Sequence, residues 1–416
     1  MSSDSRELIA VLDAAGFGPR RPVGILRRRP GSRLLVSFEY ARSWLDASDR
    51  FSLDPSLPLV PGEQFTVEGR LPGVFSDTAP DRWGRRLLER REAANARLES
   101  RRPHSLDEWD FLLGVADVTR MGALRLGVER EGPFLDDSDH AVPPLTRLRS
   151  LEHAARQIDA TAGTVDDPDV AMLIAPGSSL GGTRPKANFL DADGGLWLAK
   201  FPSSQDRWDV GGWEHLVAAI ARSAGVTVEE SRARSLSPAG TTYATRRFDR
   251  DGRNRRPFIS AMTMTRTRDG QEASYLELAQ AVADQVVPDA IETDLEQLFR
   301  RLVFNVMVGN RDDHLRNHAF LRGPSGWRLA PAYDVNPAPG VAEHALSIDD
   351  RSHEPSIALA LETRPFYRVS EKRAVDIIRD VAAALLGWED AARRAELESD
   401  QIDLMRTVIA PRDLTP

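Results

Sequence analysis

The sequence predicts an α+β chain in which a strand-rich lobe precedes a larger, mainly helical lobe, and a small mixed α/β domain precedes both. Three observations carry the expectation. The 416 residues amount to two or three domains of ordinary size. Strand-like runs separated by turns dominate the middle of the chain, and helical spacing takes over after about residue 255. The most glycine-rich stretch, GSSLGGTRPK at 177–186, falls in the strand-rich part.

Taken in order, VGILRR and RLLVSFEY flank Pro30-Gly31 and have the β-branched and aromatic content of a hairpin. DRWGRRLLERREAANARLESRR (81–102) reads as a helix. Two acidic, proline-bearing stretches, 136–144 and 161–169, mark a boundary region. KANFL (186–190) and LWLAKF (196–201) form a second hairpin around DADGG, and GGWEHLVAAIARSAG (211–225) follows as a helix stopped by Gly225. RARSL and TTYATRRF pair around Pro238-Ala239-Gly240. Helical spacing is strongest in 291–309 and from Lys372 to Ile409. The expected segments are therefore a mixed domain at 1–135, a strand-rich lobe at 136–250 and a helical lobe at 251–416, the organisation of a two-lobed phosphotransferase.

Composition narrows the function. With 41% apolar and 28% charged residues and a formal charge of -8, the chain is not one that coats nucleic acid or an anionic membrane through bulk charge. The absence of cysteine excludes a disulfide scaffold, thiolate zinc sites and a cysteine nucleophile, and fits a reducing compartment. The start has acidic residues where a secretory signal carries basic ones, and no run of about 18 apolar residues occurs. The expected location is the cytoplasm, with no membrane partner. Lysine stands at only Lys186, Lys200 and Lys372. A chain that writes nearly every positive charge as arginine keeps lysine where a compact ammonium is needed.

The chemistry concentrates in NVMVGNRDDHLRNHAF (305–320), which follows a long helix and reads as a loop. Kinases orient the acceptor hydroxyl with an aspartate and hold magnesium with an asparagine five residues later. Asp312 and Asn317 have that spacing, whereas Asp313 is one residue too close. Asp334 ends a strand-like run where a second magnesium aspartate would stand, with Val335-Asn336 in place of Phe-Gly. The bland alternative is a solvated loop whose acids cap helices. The order of the other parts favours the chemistry: Lys200 ends an apolar strand, as a phosphate-pairing lysine does, and Glu214 lies near the start of the next helix, as its ion-pair partner would. The stretch 177–186 could cradle phosphates with its backbone N–H groups, although it matches neither G-x-G-x-x-G nor the P-loop pattern. His314 and His318 have a zinc-like spacing without the glutamate of His-Glu-x-x-His, and His314 is assigned instead to the loop around Asp312. Trp208, Trp213 and Trp327 read as packing residues, and Arg27-Arg28-Arg29 as a solvated strand end.

The ordered set S-L-G-G-x-R-P-K (179–186), L-A-K-F-P (198–202), R-R-F-D-R (246–250), N-x-x-x-x-N-R-D-D-H-x-x-N-H (305–318) and A-P-x-Y-D (330–334) resembles the HipA-like serine/threonine protein kinases, toxins of bacterial toxin–antitoxin pairs. FEYARSWL (38–45), FSLDPSLPL (51–59) and LPGVFSDTAPDRWGRRLL (71–88) resemble that family's N-terminal domain. The resemblance implies a protein-kinase-like fold, ATP and Mg2+ as cofactors, and Asp312 as the catalytic aspartate with Asn317 and Asp334 as magnesium ligands. It implies that Lys200 contacts the α/β-phosphates and Lys186 a phosphate beside the loop containing Ser179, Gly181 and Gly182. Glu214 and His314 complete the expected ATP site. Arg246, Arg247 and Phe248 fall on the adenine-binding hinge. Ser179, next to the confusable Ser178, matches the serine that family members autophosphorylate to switch themselves off; a phosphate there would occupy the cradle ATP needs. The implied partners are a helix-turn-helix antitoxin of the HipB type, through which alone DNA is bound, and a translation-related substrate such as an aminoacyl-tRNA synthetase, with growth arrest as the outcome. Two competing readings are a nucleotide-sensing regulatory pseudokinase that partners a DNA-binding protein, and a small-molecule phosphotransferase. Intact Asp312, Asn317, Asp334 and Lys200 weigh against the first, and the N-terminal resemblance against the second.

Overall fold

The computed structural model describes residues 6–29, 34–67, 69–135, 142–160, 173 and 182–410. The turn at Pro30-Gly31, the stretch 161–169 and the residues Ser178, Ser179 and Gly181 lie outside these. The chain packs as two compact units, Met1–Ser204 with Asp249–Ile259, and Gln205–Phe248 with Ser260–Pro416.

In the first unit, β1 (Glu7–Leu12), β2 (Arg21–Arg29), β3 (Leu35–Tyr40), β4 (Gln64–Phe65) and β5 (Leu124–Gly127) form an antiparallel sheet in the order β4-β3-β2-β1-β5. Leu8, Ala10, Val23, Leu26, Val36 and Phe38 are fully enclosed in its core. Gly24 lies opposite Tyr40, and a Cβ there would stand 2.3 Å from the Phe38 ring, so the strand needs glycine at that point. The Arg27–Arg29 end is tied by ion pairs to Glu7, Glu39, Glu63 and Asp107, a more engaged role than the solvated strand end expected. The predicted helix forms as α1 (Arg82–Leu98), capped by Asp81, which accepts from the Gly84 N–H at 2.7 Å. Its buried face runs through Trp83, Leu87, Leu88 and Ala96, the i, i+4 spacing of an amphipathic helix. The short α2 (Glu108–Leu113) and the helix α3 (Leu148–Ala160) follow, and then the expected hairpin, β6 (Lys186–Leu190) against β7 (Leu196–Lys200).

Residues 249–259 return to this unit for an electrostatic reason. Asp249 accepts from the Gly122 N–H at 2.7 Å, Arg250 donates to the carbonyls of Val118 and Arg120, and Arg255 reaches Asp117 at 2.9 Å. Asp117 also pairs with Arg125. These groups are buried, and buried charges persist where they are paired and hydrogen-bonded. Asp249 and Arg250 are the last two residues of R-R-F-D-R, so that part of the motif is structural.

The second unit starts with α4 (Val210–Ser223), whose cap Asp209 accepts from Gly212 N–H and Thr241 N–H. β8 (Ser231–Ser237) and β9 (Gly240–Arg246) form the third predicted hairpin. α4 lies so close to β9 that a Cβ on Gly211 would stand 2.0 Å from the Thr241 carbonyl oxygen. α5 (Tyr275–Gln285) opens with a Ser274/Glu277 capping box. α6 (Ile291–Val308) is the central helix, buried through Leu295, Leu298, Phe299, Leu302, Val303 and Met307, with α7 (Glu371–Leu385) packed on it. Between them β10 (Ala319–Gly323) pairs with β11 (Gly326–Leu329). Trp213 is wholly enclosed against Trp388, and Trp327 is buried under Arg322, while Trp208 is half-buried. Among the described residues no helix is long and apolar enough to cross a membrane.

Candidate active site

α6 ends at Gly309, whose φ of +75° and close approach to Val408 favour a residue without Cβ. The chain then turns through Asn310–His314 without regular structure and closes in a 3-10 turn, Leu315–Asn317. Of the stretch 305–320 expected as a loop, 305–308 form the last turn of α6 and 319–320 open β10, so the loop proper is 309–318; its two aspartates face opposite environments. The Asp312 side chain is 81% exposed. The Asp313 side chain is 1% exposed.

The burial of Asp313 rests on a set of hydrogen bonds within the unit. Its Oδ2 accepts from the Tyr275 hydroxyl and, at 3.2 Å, from Asn305 Nδ2, which also donates to the Tyr275 oxygen at 2.9 Å. Asn310 donates to Asn305 Oδ1 at 3.2 Å. On the other side His344 Nδ1 lies 3.4 Å from Asp313 Oδ1, and Arg311 Nη1 lies 3.0 Å from His344 Nε2. Because a guanidinium only donates, His344 Nε2 must accept, which places the imidazole proton on Nδ1, facing Asp313. The buried carboxylate thus pins helix α5, helix α6 and the segment around His344 to one loop. The Tyr275 hydroxyl is held far above its ordinary pKa by burial, and next by the Asp313 charge, so it stays a donor.

The exposed acid is set by its neighbour. Asn317 Nδ2 donates to the Asp312 carbonyl at 2.8 Å, and the Asn317 N–H donates to the His314 carbonyl at 2.8 Å. With the amide nitrogen committed, Asn317 Oδ1 is the atom left to face a cation. Asp334 stands in the left-handed region at φ +58°, a conformation Asp and Asn tolerate better than other non-glycine residues. Its Oδ1 lies 3.5 Å from Asn336 Nδ2. An amide oxygen and a carboxylate are hard oxygen donors of the kind Mg2+ takes, so these residues fit the ion. The Tyr333 hydroxyl donates to the Arg316 carbonyl at 2.6 Å, and its ring lies 5.2 Å from that of Phe248. The structure thereby brings together Phe248 of the expected hinge, the Asp334 segment and the loop carrying Asn317. Arg246 ends β9 and Arg247 is buried beside it. His314 Nε2 is 3.9 Å from Asp312 Oδ1, beyond hydrogen-bond reach. His318 is enclosed beneath the edge of Tyr275, and burial lowers its pKa to about 4. Glu214 is buried in α4.

The first unit holds two of the three lysines. Lys186 and Lys200 are direct cross-strand partners in the β6–β7 ladder, so they project from one face of the hairpin. Both are buried, at 2% and 7% exposure. Like charges opposed in this way are unfavourable without anions between or beside them, which fits a polyphosphate cradle. Lys186 Nζ lies 2.6 Å from Asp81 Oδ2, a partner 105 residues away that no local pattern indicates. Gly182 has φ +108°, and a Cβ there would stand 3.2 Å from Lys186 Nζ. Tyr275 and His344 were equally hidden, having no motif; Asp313 stands within the quoted 305–318 motif, but only as the second of two adjacent aspartates, with no role assigned to it.

A family model described as the HipA-like C-terminal domain matches residues 178–388. A second, the HipA N-terminal domain, matches 17–126. No curated protein sequence matches the chain. Among solved structures, HipA of Shewanella oneidensis MR-1, in a toxin–antitoxin complex with HipB and operator DNA, has a TM-score of 0.66 at 16% identity, over 96% of this chain and 95% of that one. The match shows the fold, the two-lobed protein-kinase-like α+β class that the sequence predicts. The Helicobacter pylori proinflammatory kinase CtkA also aligns, with a TM-score of 0.42 at 14% identity over 54% of this chain and 88% of that one.

Proposed function

The chain belongs to the HipA-like family, and from that premise we propose that it is an ATP- and magnesium-dependent serine/threonine protein kinase acting as the toxin of a toxin–antitoxin pair. One observation carries the reading. A single loop presents Asp312 to solvent while Asp313 buries the same loop's anchor, and Asn317 locks the Asp312 carbonyl. Phosphoryl transfer asks a protein mainly for positioning and electrostatics. Asp312 orients the acceptor hydroxyl and accepts its proton, and the loop cannot swing away without breaking the Asp313 hydrogen bonds. Asn317 Oδ1 and the Asp334 carboxylate hold magnesium, which supplies charge neutralisation across the phosphates when bound. Lys200 and Lys186 offer ammonium groups to the triphosphate, the glycine-rich segment its N–H groups, and the 246–248 backbone the adenine contacts. Ser179 is the proposed site of self-phosphorylation. A HipB-type antitoxin is the proposed partner, as in the Shewanella complex, with DNA reached through it and an aminoacyl-tRNA synthetase as the substrate class.

The test incubates dephosphorylated protein with γ-labelled ATP and magnesium, beside Asp312→Ala and Asn317→Ala variants, and maps phosphate by mass spectrometry. Phosphate on Ser179 in the parent and at most one part in 100 in Asp312→Ala supports the reading. ATP binding without any transfer overturns it in favour of the nucleotide-sensing regulator.

A further inference from the structure

The Asp81–Lys186 contact is more than a tie between two parts of one unit. The first turn of α1 grips the last five residues of the glycine-rich stretch, 182–186, at both ends. Trp83 N–H donates to the Gly182 carbonyl at 3.3 Å, Trp83 Nε1 donates to the Lys186 carbonyl at 3.0 Å, and Asp81 takes the ammonium. The side chains of Lys186 and Asp81 are 1% and 4% exposed. A buried ion pair is a weak source of stability, because desolvating two charges offsets most of their attraction. Here burial pushes the Asp81 carboxyl up in spite of the lysine beside it. Stability alone is therefore a poor reason for this pair, and its place is informative. It occupies one of the two opposed lysines that the hairpin presents together, and the lysine it occupies is the one that ends the glycine-rich segment.

We propose that Asp81 is a built-in competitor for the phosphate at Lys186, so that the domain at 17–126 sets the affinity of the site for ATP. The carboxylate stands where a phosphate oxygen would otherwise sit against the ammonium. ATP must displace it, and the apparent affinity falls by the fraction of molecules in which Lys186 is free. The inference rests on the reading that Lys186 contacts a phosphate, and the experiment separates the two.

MgATP binding to the full chain is measured by calorimetry for the parent, Asp81→Asn, Asp81→Glu, Lys186→Gln and the double variant Asp81→Asn/Lys186→Gln. Asparagine keeps the cap on Gly84, being as good an N-cap as aspartate, so the first variant removes charge and leaves the helix start. The expected result is a roughly tenfold tighter Kd for Asp81→Asn, parental affinity for Asp81→Glu, and loss of the gain in the double variant. Weaker or unchanged binding in Asp81→Asn, with Lys186→Gln weakened, makes Asp81 an anchor and overturns the proposal. Unchanged binding in Lys186→Gln means that the lysine touches no phosphate, and the underlying reading falls with it.

Discussion

Replacing Tyr275 by phenylalanine removes one oxygen atom from beneath the Asp312 loop and leaves the ring in place. That oxygen donates to Asp313 Oδ2 and accepts from Asn305 Nδ2. The hydrogen bond to a buried carboxylate contributes about 1.5–3 kcal/mol, more than a neutral pair. Asn305 keeps Asp313 as an acceptor at 3.2 Å, so the second loss is small. No cavity larger than a hydroxyl forms, and the expected cost is therefore about 2 kcal/mol. Because the chain folds as two units, a single global unfolding energy is ill defined, and the readout should be local. Amide hydrogen exchange over residues 309–318 reports the opening of the loop directly, with every 1.4 kcal/mol appearing as a tenfold change in protection. A ten- to hundredfold loss confined to this loop and to the start of α5 is expected, together with a fall in turnover at unchanged KM for ATP. Protection within twofold of the parent would show that Asp313 does not hold the loop through Tyr275.

Three further outcomes follow from the packing. His318 is neutral and enclosed, with its pKa lowered from 6.5 to about 4 by burial. The unfolded chain therefore takes up a proton before the folded one does, and stability is flat above pH 6.5 and falls by up to about 3 kcal/mol as pH drops toward 4. Urea midpoints across that range should separate the parent from His318→Phe, which lacks this term. Gly211→Ala puts a methyl 2.0 Å from the Thr241 carbonyl and should lower the melting temperature of the second unit by several degrees, at a cost of about 1–3 kcal/mol; an unchanged melting curve would mean that α4 can move off β9 freely. Asp249→Ala strands Arg250 and the Gly122 N–H in a buried site, and about 3–5 kcal/mol of lost stability should appear as rapid proteolysis of the first unit.

What could be read from the sequence followed its periodicity. The three hairpins and the helices at 82–98, 210–223 and 291–308 lie where apolar spacing and turn residues put them, because local steric and burial rules set such elements. Asp312 and Asn317 were singled out by their five-residue spacing and Asp334 by its place at the end of a strand-like run, and the structure shows one as an exposed side chain, one as an amide fixed to the Asp312 carbonyl and one as a left-handed residue. Asp313, read only as one residue out of step, is the loop's buried anchor, since its partners Tyr275 and His344 lie 38 and 31 residues away. Asp81 stood at the start of a predicted helix and inside a quoted stretch, but its partner Lys186, 105 residues away, could not be read for the same reason. Spacing along a chain encodes what a helix or loop can do for itself and is silent on which distant side chain closes the circuit.

The return of residues 249–259 to the first unit governs how the chain can be made. The polypeptide passes from one unit to the other between 204 and 205, between 248 and 249, and between 259 and 260. A ribosome that has released only the first 204 residues has delivered Asp117 without Arg255 and Gly122 without Asp249. These buried contacts of the first unit cannot form until synthesis has passed residue 255, by which time residues 205–248 of the second have been made. Neither unit can be obtained by a single cut, and removing residues 1–130 strands Asp249, Arg250 and Arg255 rather than freeing the second unit. Growth of the chain and completion of its first half are thus staggered: the first unit waits for residue 259, and the second, begun before that, is finished only with the remainder of the chain.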